Sequence, residues 1–182
     1  MRQSRAMASV RKPAIVRKFS RDWCAGYAPV GFARDAAALE ILDLTGKVVS
    51  IGWEQVKWVC YVRDFPPPSP VAEAFQANPE RLLHKRFAIR PRVPGLWLRM
   101  ILADGDELEG LAANDRSLIE GAGLLVTPPD TRSNTQRIYL PRQAIQALEV
   151  VSLIGASGRK RTACPDRIAE QPELFPGALE TP

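Results

Sequence analysis

The sequence has 182 residues, of which 46% are hydrophobic and 25% charged, and its net charge is +5. These values are ordinary for a globular protein with a hydrophobic core, and no apolar run approaches the roughly 20 residues of a membrane-spanning helix. No apolar segment follows the basic N-terminus, which argues against a secretory signal. The scattered cysteines Cys24, Cys60 and Cys164 argue against a disulfide scaffold and predict a reducing, cytoplasmic location.

Residues 1–13 show no hydrophobic period, and we expect them to form a disordered basic leader. Residues 14–65 then contain short β-branched or aromatic runs, with a turn at Thr45-Gly46, and predict a first small β-unit. The predicted strands are 15–19, 23–27, 39–44, 48–53 and 56–62. A helical turn over residues 34–39 is an alternative for the alanine-rich start of the third strand.

Pro66, Pro67 and Pro68 remove three consecutive backbone donors and therefore end the first unit. Residues 66–94 are predicted to form a proline-rich connector with a short helix over residues 71–77. The single histidine of the chain, His84, lies in this connector. Because no cysteine or acidic cluster lies near it in sequence, we expect an exposed side chain and not a general base.

Residues 95–155 predict a second β-unit, with strands over 97–102, 107–111, 124–127, 137–140 and 145–153. Asp104-Gly105 is a strong signal for a tight hairpin between the first two of these strands. Residues 156–182 are predicted to form a flexible tail. The excess positive charge lies in the leader and the connector, so any loose contact with phosphates would run through these basic arms.

The two units repeat the same order of runs, turns and glycines, which predicts two tandem small β-barrels. The alignment that brings this out pairs Val56 with Ile145, Ile51 with Leu140, Val59 with Leu148 and Gly26 with Gly110. The fold class is therefore predicted as mainly β, with two five-stranded repeats of the Sm or SH3 kind joined by a short helical connector.

The second unit resembles the Sm-like barrel family. The resemblance rests on residues 98–105, on Glu109-Gly110-Leu111 with Asn114-Asp115, and on Ile138-Tyr139-Leu140 followed by Ile145. It implies a five-stranded barrel. The whole two-copy arrangement, including residues 57–65, also resembles an uncharacterised family of bacterial proteins.

The RNA pocket of the Sm-like family is not conserved in either copy. Ser117-Leu118-Ile119 stands where that family places a base-reading asparagine. Pro141-Arg142 and Gly52-Trp53 stand where it places an Arg-Gly pair. The resemblance therefore supports the fold more than it supports RNA binding.

Four carboxylates, Asp104, Asp106, Glu107 and Glu109, lie within six residues. Such a cluster suits a hydrolase or a cation site, but it brackets a hairpin turn, where acids point into water. We favour the turn. Because metal-spaced cysteines, a glycine-rich phosphate loop and a nucleophile elbow are also missing from the sequence, we expect a non-catalytic protein with no metal and no cofactor.

Besides two prolines, the segment 127–137 carries hydroxyls, amides and two arginines. Arg132, Asn134 and Arg137 in it suit an anion or a nucleic acid. The alternative is a long hairpin whose side chains satisfy its own backbone. Trp53, Trp58 and Trp97 suit base stacking or, as at most strand positions, anchoring of the core.

The segment Gln171-Pro172-Glu173-Leu174-Phe175 resembles the peptide by which bacterial polymerases and repair proteins bind the replication sliding clamp. Gln171, Glu173, Leu174 and Phe175 fit that pattern, and Pro172 departs from the commoner leucine. The resemblance implies that the two apolar side chains fill a pocket of the clamp and that the glutamine guides them. Alternatively, Leu174 and Phe175 pack back onto a barrel.

We therefore expect a non-catalytic adaptor whose barrels bind a protein or nucleic acid and whose tail docks on the sliding clamp. An Sm-like binder of single-stranded RNA is the first alternative. An enzyme that depends on the acids of residues 104–109 is the second. The sequence leaves open whether the chain is a monomer, a dimer or a ring.

Overall fold

The structure is a computed structural model, and it describes residues 10–32, 36–65, 83, 85–130 and 132–155. Strands β1 to β5 make up the first half of this part of the chain, and β6 to β10 the second. The first five are β1 (Arg11–Lys18), β2 (Trp23–Pro29), β3 (Ala38–Asp43), β4 (Val48–Gly52) and β5 (Val56–Val62). The second five are β6 (Gly95–Leu102), β7 (Glu107–Ala112), β8 (Gly123–Thr127), β9 (Thr135–Pro141) and β10 (Ile145–Ile154).

Short helical turns complete the described part of the chain. Two are 3-10 turns, at Trp53–Gln55 between β4 and β5 and at Arg142–Ala144 between β9 and β10. The third is the four-residue turn α1 (Ser117–Glu120) between β7 and β8. The mainly-β prediction is thus confirmed, and each predicted strand overlaps an observed one.

One boundary prediction is wrong. β1 begins at Arg11, inside the segment 1–13 that was expected to be disordered. Residues 11–13 pair with β2, and Pro13 lies opposite Tyr27. The pairing of β1 with β5 starts only at Ala14, so the missing backbone N–H of Pro13 costs no hydrogen bond to β5.

The turns predicted from glycine are present. Gly46 has φ of 83° between β3 and β4, and Gly105 has φ of 85° between β6 and β7. Asp43 stabilises the first turn because its carboxylate accepts from the backbone of Thr45 at 2.9 Å and from that of Lys47 at 2.8 Å.

All ten strands belong to one antiparallel sheet, in the order β10-β6-β7-β8-β9-β5-β1-β2-β3-β4. The two halves therefore do not form two separate sheets as the division into barrels would suggest. They are joined because β5, the last strand of the first half, pairs with β9, the fourth strand of the second. We call this β5/β9 pairing the seam.

The internal repeat is visible in the order of the strands. In each half the last strand lies beside the first, and the second, third and fourth follow. Gly26 lies opposite Ala14 in the first half, and Gly110 lies opposite Leu98 at the matching place in the second. A Cβ at Gly26 would collide with the carbonyl oxygen of Leu42, and a Cβ at Gly110 would lie 3.0 Å from the Val126 side chain, so a neighbouring strand approaches closely at both glycines.

Each half buries a core of its own, and the seam strands contribute to both. In β5, Trp58 and Cys60 face the core of the second half, whereas Val59 and Tyr61 face that of the first. In β9, Tyr139 reaches the first core while Ile138 and Leu140 serve the second. Every residue of β5 is buried, which accounts for its continuous apolar run.

The predicted helix over 71–77 and His84 lie outside the described residues. Leu83 is described, and it is buried in the core of the second half.

Candidate functional site

An open groove lies at the end of the seam where β5 begins and β9 ends. Its volume is about 790 Å³. Both 3-10 turns line it, through Trp53 and Glu54 from the first half and Arg142 and Gln143 from the second. The loop that leads into β3 and the α1 segment complete the walls. The groove therefore exists only because the two halves are joined.

Two aromatic rings, those of Trp53 and Tyr139, line the groove, and the ring of Phe32 packs against both. Phe32 lies 4.8 Å from Trp53 and 4.4 Å from Tyr139, measured between ring centroids, and the Trp53 and Tyr139 rings are 5.9 Å apart. Phe32 and Trp53 belong to the first half and Tyr139 to the second. Such tilted and edge-on contacts stabilise the cluster and hold the Trp53 ring in place beside the opening.

The opposite wall is fixed by Arg142. Its guanidinium donates to the carbonyl oxygens of Ser117 and Leu118, and its backbone N–H donates to Ala122 at 2.9 Å. This positions α1 at the rim, where Ile119 is 81% exposed. An isoleucine this exposed beside an aromatic wall is suited to contact with an apolar side chain of a partner.

The charges in the groove disfavour a phosphate. Among the described residues that line the groove, Arg142 is the basic one, and its guanidinium is already engaged by main-chain carbonyls. Glu54 adds a carboxylate, which accepts from the Gln55 amide at 3.3 Å. Gln143 supplies an uncharged donor and acceptor. The set therefore suits a polypeptide better than a nucleic-acid backbone.

The acidic cluster has structural partners. Asp104 and Asp106 both form an ion pair with the ammonium of Lys57, which projects from β5 and is only 7% exposed. The Lys57 ammonium also lies 4.9 Å from the centre of the Trp58 ring. These ion pairs therefore connect the β6–β7 turn to β5 of the first half.

The other two acids hold the segment that precedes β6. Arg86 forms ion pairs with Glu107 and Glu109, and its hydrogen bond to Glu107 raises its pKa. Glu109 accepts from the backbone N–H of Phe87 at 2.9 Å and is 2% exposed. The expectation that these acids point into water is wrong for Glu109, because Arg86 and Phe87 compensate its burial. Within the described residues, histidine, cysteine, aspartate and glutamate form no group of three or more that could hold a metal ion.

In the segment 127–137, the side chains of Asp130, Ser133 and Asn134 form hydrogen bonds with the backbone. The Asn134 side chain accepts from the N–H groups of Arg63 and Asp64 and donates to the Asp64 carbonyl at 2.8 Å. Ser133 and Asp130 close a turn on themselves. Asn134 thus fixes the end of β5, which lies 71 residues away in the chain, whereas the bonds of Asp130 and Ser133 lie within the segment 127–137 itself.

Arg132 and Arg137 are exposed, the first in the loop and the second on β9 opposite Tyr61. Within the described residues, no hydrogen bond or ion pair joins either guanidinium to Asn134. Of the three predicted residues, Asn134 is engaged by the backbone at the end of β5, and the two arginines are exposed.

The three predicted tryptophans have different surroundings. Trp58 is 1% exposed and anchors the core. Trp97 packs edge-on against Phe87, with ring centroids 5.6 Å apart. Trp53 alone of the predicted three lines the groove.

Burial shifts two seam side chains toward their neutral forms. It raises the pKa of the Cys60 thiol to about 12 and that of the Tyr139 phenol to about 12. Cys60 is therefore a core residue and not a reactive thiol. Cys24, which is half-buried, also has a raised pKa for the same reason.

Sequence reasoning missed Tyr139 and Gln143 as groove residues, and Lys57 as the partner of the acids. Lys57 did carry a signal, because a lysine inside an otherwise apolar strand requires a carboxylate nearby. The groove residues carried none, since their proximity depends on the seam. Cys164 and the predicted clamp-binding residues Gln171, Glu173, Leu174 and Phe175 lie outside the described residues. None of the described helical segments is long and apolar enough to span a membrane.

Comparison with known proteins places the chain among sequences without an assigned role. The sequence model of DUF6982, described as a family of unknown function, matches residues 10–152. This range runs from the start of β1 nearly to the end of β10 and so includes both halves of the sheet. No curated protein and no solved structure matches the chain.

Proposed function

Because the chain belongs to DUF6982, a family whose description names no activity, we propose its function from its own residues: a non-catalytic, cytoplasmic adaptor that binds a protein partner. In this proposal each half is a small Sm-like barrel, and the two share the seam. The repeated strand order, the two equivalent 3-10 turns and the two separate cores support that description.

The observation that carries the proposal is the groove. It combines an aromatic wall, an exposed isoleucine at the rim and the polar side chains of Glu54 and Gln143, with no free cation on the described lining. Peptide recognition commonly uses an apolar anchor together with a few polar contacts that fix its direction. The four acids, which would serve an enzyme, are instead occupied by Lys57 and Arg86.

The tail is the second part of the proposal. Residues 171–175 follow the last strand and would dock on the bacterial sliding clamp, with Leu174 and Phe175 as anchors and Gln171 and Glu173 as polar guides. The groove would then hold a client protein while the tail holds the clamp. Two weak sites on one chain gain avidity when both are engaged.

One experiment tests the two parts separately on the full chain. Binding to the immobilised clamp is compared between the wild type and a Leu174→Ala, Phe175→Ala variant. We expect a Kd of about 10 µM for the wild type and no measurable binding for the variant. Equal binding by the two proteins, or none by either, would remove the clamp from the proposal.

The groove is tested with a displayed library of random peptides selected on the wild-type protein. Ile119→Glu should weaken binding of the selected peptides by about tenfold, since it places a charge at the apolar rim. Ile89→Glu is the matched control, because Ile89 is 72% exposed and lies outside the groove. Peptides that bind both variants equally would contradict a binding role for the groove.

RNA binding is a second candidate, favoured by the exposed Arg132 and Arg137. It predicts nucleic acid that remains with the protein through purification and an affinity for single-stranded RNA that falls steeply with salt. Arg132→Ala with Arg137→Ala should then abolish binding, whereas Ile119→Glu should leave it unchanged.

A further inference from the structure

The ten-stranded sheet has two open edges. β10 lies at one end and β4 at the other, and among the described strands neither has a second neighbour. Both edges are apolar and yet exposed: Val150 of β10 is 50% exposed and Val48 of β4 is 62% exposed. β10 is also the longest strand of the described sheet, with ten residues. An open apolar edge of this kind is a template for pairing with another strand.

The seam indicates which strand would fit. It joins the last strand of the first half, β5, to the fourth strand of the second half, β9. In the internal repeat β5 corresponds to β10 and β9 corresponds to β4, because each last strand follows a 3-10 turn and each fourth strand precedes one. The two outer edges are therefore the counterparts of the two strands that already pair inside the molecule.

We propose that copies of this chain assemble head to tail, with β10 of one copy pairing antiparallel with β4 of the next. The seam supplies the register. Its pair Tyr61 and Arg137 becomes Val150 opposite Val48 when each residue is replaced by its repeat counterpart. The two most exposed valines within the paired stretch of these edges would thus be buried against each other.

Replacing two further seam pairs by their counterparts in the repeat places Leu148 opposite Ser50 and Glu149 opposite Val49. Glu149 forms an ion pair with Arg99 at 3.1 Å, so its charge is compensated within its own copy. The seam has the apolar Cys60 and Ile138 at this position. The junction between copies is therefore weaker than the seam, and assembly depends on protein concentration.

Assembly would also affect the groove-bearing end of the sheet. At the seam, the 3-10 turn Trp53–Gln55 lies beside the start of Arg142–Ala144. Pairing β10 with β4 of the next copy brings the same two turns together again, across the junction. Because such an interface joins two different surfaces, it closes as a ring or grows as a filament. The proposal does not depend on what the groove binds.

The test uses the full chain in analytical ultracentrifugation over a range of protein concentrations. We expect the wild-type mass to rise in whole multiples of the chain, and Val48→Lys and Val150→Lys each to abolish this rise. Ile89→Lys, at an exposed residue outside both edge strands, should assemble as the wild type does. Circular dichroism of each variant checks that the sheet is retained.

A mixture of the two variants separates head-to-tail pairing from other dimers. The Val48→Lys copy keeps an intact β10, and the Val150→Lys copy keeps an intact β4. One native junction is then possible, so the mixture should form dimers containing one copy of each variant while each variant alone stays monomeric.

Three results would overturn the proposal. These are a wild-type protein that is monomeric up to about 1 mM, where even weak specific association is detectable, an assembly that neither valine substitution disrupts, and a mixture of the two variants that stays monomeric. None of these results bears on binding to the groove or to the clamp.

Discussion

Among single residues, three buried side chains in or beside the seam stabilise the fold only in their uncharged forms. Cys60 and Tyr139 belong to the two strands of the seam and lie in opposite cores. Tyr61 is buried beside them, and its hydroxyl donates to the Pro29 carbonyl at 2.6 Å. Burial raises the pKa of all three groups above the ordinary values of 9.0 for the thiol and 10.0 for the phenols.

This arrangement predicts a loss of stability in alkali. The folded pKa values lie above the unfolded ones, so the stabilisation is complete below the unfolded pKa of the thiol, 9.0, and is lost as the pH rises toward the folded value of about 12. The urea concentration at the midpoint of unfolding should therefore decrease as the pH rises from about 8 to about 11. The midpoint of the Tyr139→Phe variant should decrease less steeply over the same range. A midpoint that is independent of pH there would contradict the assignment.

At the scale of elements, the β6–β7 turn is connected to β5 by a charge network. Two aspartates share one buried lysine, and all three groups lie between the halves. The lysine is 7% exposed, whereas the side chains of Asp104 and Asp106 are 34% and 41% exposed. The consequences of removing the two sides should therefore differ.

Removing both acids, with Asp104→Asn and Asp106→Asn, leaves an ammonium buried without a counter-charge and should destabilise the fold by about 3 kcal/mol. Lys57→Met should cost about 1 kcal/mol, because the aspartates can turn into water and the methionine fills the same space. Urea unfolding measures both values. If Lys57→Met lowers the free energy of unfolding more than the double aspartate substitution does, the buried lysine is not the group that requires its partners.

At the scale of the whole molecule, the two halves share strands and are not independent units. β5 is buried in both cores, and Asn134 of the second half holds the backbone of Arg63 and Asp64 at the end of β5. Neither half can therefore lose its structure without exposing apolar surface of the other.

We expect a single cooperative unfolding transition for the chain as a consequence. Thermal unfolding followed by circular dichroism and by tryptophan fluorescence should give coincident curves, because Trp53 and Trp58 report on different cores. Two resolved transitions would show that the seam opens before either core and would contradict the shared-strand arrangement.

Local sequence patterns are sufficient to predict the ten strands, the two glycine turns and the internal repeat. Those features follow from local patterns: short β-branched runs for the strands, Gly46 and Gly105 for the turns, and matched apolar positions for the repeat. The sequence also identified segment 127–137 as polar, but it could not decide between an anion site and a loop that satisfies its own backbone.

The pairing of β5 with β9 emerges only in the folded molecule, and the groove, the shared burial of β5 and the role of the acids all follow from that pairing. Lys57 and Asp104 are 47 residues apart in the chain, and Arg63 and Asn134 are 71 apart. No local pattern encodes such distances, because any apolar strand with a free edge offers the same backbone donors and acceptors. Which edges meet depends on how the two halves pack their cores.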